Sequence, residues 1–490
     1  MTDFIRIHPG DNVAVALKPI PAGTVFLGVA AGQDIPQGHK MALKALAPGE
    51  QIVKYGFPIG HARQEIPAGA WVHTHNMATN LSGQLEYTYT PACVYPAPVP
   101  APCFQGYRRK DGKVGIRNEL WILPTVGCVN DVAKALAAEN QDLLQGSVEG
   151  LYAFPHPFGC SQTGEDHART RRLLAALAQH PNAGGVLVLG LGCENLTHAQ
   201  FVEELGPYDR NRIQFLTCQQ VEDEMAAGRQ ALTALAEYAG QFRREPIPAS
   251  ELIVGMKCGG SDGLSGVTAN PTVGRFSDRL IAMGGSTVLT EVPEMFGAEG
   301  FLLNRCRNEA VFRKAVDMIN GFKDYFLRQG EAVYENPSPG NKAGGITTLE
   351  DKSCGCVQKG GSAPIMDAIG YGCQVQSRGL NLLYGPGNDL VSSTALTAAG
   401  AHLILFTTGR GTPFGAPAPT LKIATNTPLA QKKSGWIDFN AGVVADGGCT
   451  LDQAAEQLMQ LVLETASGQQ TQTERKGYRE ISIFKGGVVL

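Results

Sequence analysis

Hydrophobic positions in this chain fall into short runs, and one arrangement of them recurs. An apolar, strand-like run ends in a glycine-containing loop with a cysteine at or beside the turn, in the segments Leu120 to Cys128, Leu151 to Cys160, Gly185 to Cys193 and Leu252 to Cys258. Between the first of these, residues 131–144, 166–179 and 221–242 place apolar side chains at helical spacing. Strands alternating with helices predict βαβ units and a parallel sheet. A second α/β stretch follows, with strand-like runs at 252–256, 286–290, 380–384 and 402–407 and helical patterns at 309–327 and 451–467. The first 90 residues differ. Proline–glycine turns at Pro21-Ala22-Gly23, Pro36-Gln37-Gly38, Pro48-Gly49 and Pro67-Ala68-Gly69 separate short alternating runs at 12–17, 24–29 and 51–55, the pattern of a small all-β module. The proline-rich residues 91–102 read as a semi-rigid spacer. The predicted molecule is therefore multidomain: an all-β domain at 1–90, a linker at 91–104, and α/β domains with mainly parallel sheets at 105–245 and 246–490.

Composition narrows the function classes. With 43% hydrophobic and 18% charged residues the chain has ample material for more than one core. A net charge of −4 offers no electrostatic footprint for nucleic acid or an anionic membrane. No run approaches the roughly 20 apolar residues of a membrane span, and the first residues lead into no apolar signal region. The 12 cysteines then read as reduced thiols, and the cytoplasm is the expected compartment. Glycine is abundant, 60 of 490 residues, and concentrates in loops after strands, where backbone must approach a ligand closely.

Ligands of open parallel sheets bind beyond the carboxyl ends of the strands. Cys128, Cys160 and Cys193 sit there and are candidate metal ligands, either for one ferrous ion or for an iron–sulfur cluster with an open iron. The bland alternative is small buried side chains in tight turns. His73 and His75, in the strand-like stretch from Trp71 to Asn76, share one face at i and i+2 and suit a divalent metal or a ligand beside a general base. Cys354-Gly355-Cys356 is a further pair in a glycine-rich loop, and Glu291 and Glu294 follow a predicted strand as additional ligand or base candidates. Arg117, Lys342 and Arg410 could clamp a carboxylate, while Asn118, Ser261, Asp262, Asn341 and Thr412 could hold hydroxyls. Gly190-Leu191-Gly192-Cys193-Glu194-Asn195 fails the dinucleotide fingerprint at its third glycine, and no Walker loop occurs.

Long motifs carry a resemblance. Pro124 to Asn130, Gly190 to Asn195, Cys258 to Gly266 and Glu335 to Gly345 resemble the bacterial altronate and galactarate dehydratases, a family that also includes sulfolactate sulfo-lyases, and the likeness runs through the whole chain. The resemblance implies an N-terminal SAF-type β-clip module and two family-specific α/β regions. It also implies dehydration of D-altronate to 2-dehydro-3-deoxy-D-gluconate in hexuronate catabolism, with Fe2+ as cofactor and Mn2+ as a substitute. Cys354 stands where that pattern expects an apolar residue, which demotes it as a ligand. The expected chemistry removes the C2 proton and expels the C3 hydroxide, with His73, His75 and Lys342 as acid–base candidates and one ion held by His73, His75, Cys128, Cys160 or Cys193. Galactarate dehydration and a non-catalytic sugar-acid sensor are the alternatives. A homodimer is the expected assembly.

Overall fold

The computed structural model describes residues 3–81, 86–333 and 336–487, so Glu335 of the last motif lies outside the described residues. The N-terminal module is built of short antiparallel strands. One sheet holds Phe4–Ile5, Val13–Ala16, Lys40–Ala42 and Trp71–Val72, another Gln51–Lys54, Phe57–Ala62 and Met77–Ala78. Each proline–glycine turn closes with its glycine at φ between +81° and +83° (Gly23, Gly38, Gly49, Gly69). That is the third position of a type II turn, where a Cβ would be strained. The strand expected at 24–29 is instead a small ribbon of Val25–Phe26 and Val29–Ala30 turning at Leu27-Gly28.

The spacer carries no regular structure over its described residues and runs along the third region, with the amides of Ala92 and Val99 donating to the carbonyls of Asn304 and Ala282. Cys103–Arg108 then pairs antiparallel with Glu245–Pro248, so the second region begins and ends on one small sheet.

The second region's parallel sheet has the order Gly150–Ala153, Glu119–Pro124, Ala183–Gly190, Ile213–Thr217, flanked by helices that include Asn130–Glu139, Gly164–Ala178 and Glu224–Ala239. The third region is a seven-stranded parallel sheet in the order Ile365–Ile369, Gly379–Leu383, Ser286–Leu289, Ile253–Cys258, Leu403–Thr408, Thr420–Ala424, Phe439–Asn440. Its central strands are buried on both faces, as continuous Leu/Ile/Val runs require. In each sheet the first strand lies inside, and the chain crosses back over it after building one side. The connections leaving two neighbouring strands therefore diverge, which opens a ligand crevice at their carboxyl ends. The third region's crevice lies between Ile253–Cys258 and Leu403–Thr408, the second region's between Glu119–Pro124 and Ala183–Gly190.

Candidate functional site

Two loops floor the third region's crevice. Gly259 and Gly409 donate amides to the carbonyls of Thr407 and Gly260 at 3.0 and 3.1 Å, locking the loops after the two strands together. The short helix Pro339–Ala343 and the two glycines after it join them: the Asn341 side-chain amide donates to the Ser261 carbonyl at 2.8 Å, and the Gly263 amide donates to the Gly344 carbonyl at 2.7 Å. Arg410 reaches the same helix through the Gly340 carbonyl at 3.0 Å, and Thr412 follows on its own loop, where its hydroxyl accepts the Phe414 amide. Asp262 is held by Thr425, Asn426, Ser265 and the Leu264 amide, and burial raises its pKa.

The β-module forms the roof. It meets the floor backbone to backbone: a Cβ on Gly263 would lie 1.9 Å from the Gly38 oxygen, and one on Gly345 would lie 2.4 Å from the same atom. Only glycine permits that approach. It delivers His39, His73 and His75, clustered around Trp71, to the rim of the crevice. Ring centroids of His39 and His73 are 5.1 Å apart, and those of Trp71 and His75 5.4 Å. The strand ends at Val72, so His73 and His75 lie on a tight turn rather than along one strand face, because Asn76 captures both the His73 amide and the Trp71 carbonyl.

The hydrogen bonds fix two tautomers. His39 Nδ1 accepts from the Trp71 indole at 3.1 Å, while its ring also bonds the Ala343 backbone. His73 Nε2 donates to the Lys342 carbonyl at 3.0 Å, and its Nδ1 faces the Thr74 hydroxyl at 3.0 Å. Burial, His73 and Lys40 push the His39 pKa down to about 4, and burial lowers that of His73. Both are therefore neutral clamps on the 342–343 backbone. His75 is exposed, and among the described residues no hydrogen bond engages its ring.

Beneath the crevice runs the buried helix Leu349–Cys356, started by the Thr348 side chain accepting from the Asp351 amide. The sequence pattern placed Cys356 in a loop, yet every residue of this helix is buried. Its first turn faces the module, where Asp351 pairs with Lys40 at 2.7 Å and Lys54 at 3.0 Å. Burial opposes the Asp351 charge, but the two ammoniums hold its pKa well below the carboxylate range. The rest of the helix faces the sheet: Lys352 pairs with Glu294 at 2.8 Å, and Cys356 Sγ lies 3.4 Å from Cys258 Sγ. Cys258 Sγ in turn lies 2.9 Å from a Glu294 oxygen. Lys257 reaches Glu291 at 2.6 Å and Asp389 at 2.9 Å, and Lys359 lies 3.6 Å from Glu291. Glu291 is held at φ +69°, a conformation rare for a side-chain-bearing residue and common where a site constrains the backbone.

The expected substrate and acid–base residues Ser261, Asp262, Asn341, Lys342, Arg410, Thr412, His73 and His75 thus converge on one crevice. Arg117 and Asn118 do not. Arg117 is spent in a buried bidentate pair with Glu474 at 2.8 and 3.0 Å that helps join the second and third regions. Asn118 is fully buried and bonds Arg109 and the carbonyls of Ser147 and Ala239. Nor do the five expected metal ligands gather around one ion. Among the described residues, the single group of three histidine, cysteine or carboxylate ligand atoms within 4.8 Å of one another is Cys258, Glu294 and Cys356. The histidines ride on the module roofing the third region, whereas Cys128, Cys160 and Cys193 are exposed on the second region's own sheet edge. There the loops do interlock: Gly127 donates to the Phe158 carbonyl, Ser161 to Asn195, and Leu196 to the Gly159 carbonyl. A cavity of about 240 Å³ lined by Thr125, Glu194 and His198 opens beside them.

His39, Lys40, Lys54, Asp351, Lys352 and Lys257 were not singled out from the sequence. The available signal for the first two was the Gly38 turn delivering a histidine and a lysine into a strand. The buried charges read as solvent-facing polar positions.

A parallel-sheet crevice floored by glycine loops, roofed by a module carrying His39, His73 and His75 and underlain by buried thiols and carboxylates has the make-up of a small-molecule enzyme site. Comparison with known proteins gives the family. Residues 2–80 match the altronate/galactarate dehydratase SAF domain, 106–240 the D-galactarate dehydratase/altronate hydrolase second domain, and 249–489 the D-galactarate/altronate dehydratase C-terminal domain. The chain is 52% identical to altronate dehydratase of Escherichia coli K12, over 99% of this chain and all of that protein. It is 51% identical to altronate dehydratase of Bacillus subtilis 168 over the full length of both. Galactarate dehydratase (L-threo-forming) of E. coli is 34% identical over 98% of this chain and 96% of its own. The chain belongs to the D-galactarate/altronate dehydratase family.

Proposed function

We propose that this protein is a hydro-lyase that dehydrates D-altronate to 2-dehydro-3-deoxy-D-gluconate in the cytoplasm. The observation that carries the substrate is the full-length identity of about half to two altronate dehydratases, against about a third to the galactarate enzyme. The crevice supplies the groups. The C2 proton is weakly acidic because the neighbouring carboxylate is already negative, so its removal needs cations at that carboxylate and a neutral base nearby. Lys342 and Arg410 on the rim orient the carboxylate. In His39 and His73 one ring nitrogen bonds the 342–343 backbone and the other bonds Trp71 or Thr74, which leaves His75 as the base that takes the C2 proton. Hydroxide leaves C3 and is protonated to water by the imidazolium that His75 has become, which restores the base, and the enol tautomerises to the 2-keto acid, so atoms balance without a redox partner. Ferrous iron, with manganese as a substitute, is the cofactor in this reading and would supply Lewis acidity at the carboxylate and departing hydroxide. The thiols beneath the crevice are soft donors and the carboxylate beside them adds a hard oxygen, a mixed set that ferrous iron would accept.

The test is anaerobic turnover of D-altronate, galactarate and gluconate with 2-keto acid as the readout. Altronate is expected to be the preferred substrate, and His75→Ala should lower kcat by about 10²–10⁴-fold with little change in KM. Equal turnover of galactarate would overturn the substrate, and an unchanged kcat in His75→Ala would remove that base.

A further inference from the structure

We propose that Cys258, Cys356 and Glu294 form a binding site for one soft divalent metal ion in the floor of the crevice. This rests on the functional reading above only in its choice of iron as the natural occupant. The donors come from three elements that the fold brings to one point: the end of the central strand Ile253–Cys258, the turn after its neighbour Ser286–Leu289, and the last residue of helix Leu349–Cys356. All three are buried: Cys258 is 1% exposed, Glu294 5% and Cys356 3%. Sγ to Sγ is 3.4 Å and Sγ to carboxylate oxygen 2.9 Å. Two donors bound to one tetrahedral ion, at about 2.3 Å for sulfur and 2.1 Å for oxygen, stand roughly 3.5–3.8 Å apart, so these two separations need open by only tenths of an ångström, and all three donor atoms already lie within 4.8 Å of one another.

Charge decides which ion fits. Three ammoniums surround the site, and each is already paired: Lys257 with Glu291 and Asp389, Lys352 with Glu294, Lys359 with Glu291. With both thiols protonated, three cations face three carboxylates. A divalent ion that displaces two thiol protons leaves that balance unchanged, whereas one that leaves the thiols protonated adds two positive charges beside three lysines. Calcium and magnesium, which prefer oxygen and do not displace thiol protons at neutral pH, are refused. Iron, cobalt and zinc are accepted, and manganese binds more weakly. A cavity of about 10 Å³, lined by Cys356, Ser261, Asp262 and Lys352 among others, abuts the site and is close to the size of one water. Three protein donors beside room for one more small ligand is the make-up of a catalytic rather than a structural metal site.

The experiment is an anaerobic titration of the full-length, metal-stripped protein with Co2+, read by thiolate-to-cobalt charge-transfer absorption. One equivalent should give the band, and neither Mg2+ nor Ca2+ in excess should suppress it. Cys258→Ser and Cys356→Ser should each abolish the band, while Cys128→Ser, Cys160→Ser and Cys193→Ser retain it. Alkylation of the unaltered protein in mild denaturant, which opens buried thiols, with and without Co2+ and located by mass spectrometry, gives a readout that needs no variant: the metal should slow modification of Cys258 and Cys356. Shielding of Cys128, Cys160 and Cys193 instead, or loss of the band in their variants, would overturn the site and move the metal to the second region. A protein that binds Co2+ as described yet fails to turn over altronate would leave the site standing and remove the functional reading.

Discussion

At the scale of single residues, the molecule separates side chains that hold the site from those that work in it. Asp262 and Asn341 sit in the crevice with their polar atoms committed to neighbouring loops, so each shapes the floor rather than gripping a hydroxyl. Arg117 is the extreme case. Replacing it with alanine strands Glu474 in the interior beside Arg479 alone, a loss of about 3–5 kcal/mol of stability. The expected outcome is a thermal midpoint several degrees lower with KM for altronate unchanged; a raised KM at unchanged melting would return Arg117 to the substrate. The sequence made the chemistry-bearing residue types legible at this scale but not their partners. An arginine in a glycine-flanked segment looks the same whether it meets a ligand or a buried glutamate. Lys40, Lys54 and Asp351 escaped notice because charged residues in a polar pattern read as solvated, although all three are buried.

Among elements, the βαβ alternation and the all-β start were readable because strand and helix periodicities are strong and the turn chemistry was explicit. The helices at 309–328 and 451–466 fall within a residue of the pattern's limits. Two strands inside the sheets carried conflicting signals. Phe57–Ala62 contains Pro58 and Gly60 and is accommodated by a shift in register against Gln51–Lys54. Thr420–Ala424 has Lys422 in its middle, which breaks the apolar run, yet the chain buries it with its ammonium 3.7 Å from the centre of the Phe406 ring. The contact that assembles the site is likewise one of elements, the Gly38 turn against the loops at 263 and 344–345. Gly263→Ala must push Gly38 away, and a displacement near 1 Å at the imidazoles should lower kcat/KM by about 100-fold. Hydrogen exchange at residues 38–42 and 71–76 should rise with it. Gly23→Ala, at a turn with open space around it, should strain only its own backbone, by about 1–2 kcal/mol, and leave kcat/KM intact.

For the whole molecule, acid is the condition that loosens every layer at once. His39, His156 and His402 are each held by burial at a pKa of about 4, and buried His180 lies well below its ordinary value. Each binds its proton more readily when unfolded, so its contribution is complete above pH 6.5 and declines as pH falls toward 4. The slope reaches about 1.4 kcal/mol per pH unit for each histidine. Calorimetry between pH 7.5 and 4.5 should show a falling transition temperature; a flat profile would mean these rings are solvated. The fold's domain order followed from pattern alone, while the meeting of module and crevice did not, since no local signal reports a contact between residue 38 and residue 344. One consequence follows from the short helix that touches both. Lifting the β-module would take both lysines from Asp351 and leave its carboxylate to the Thr347 amide and hydroxyl, so two buried ion pairs oppose that movement. Substrate exchange that leaves these pairs intact would have to run past the side chains at the rim, with the module seated on its floor.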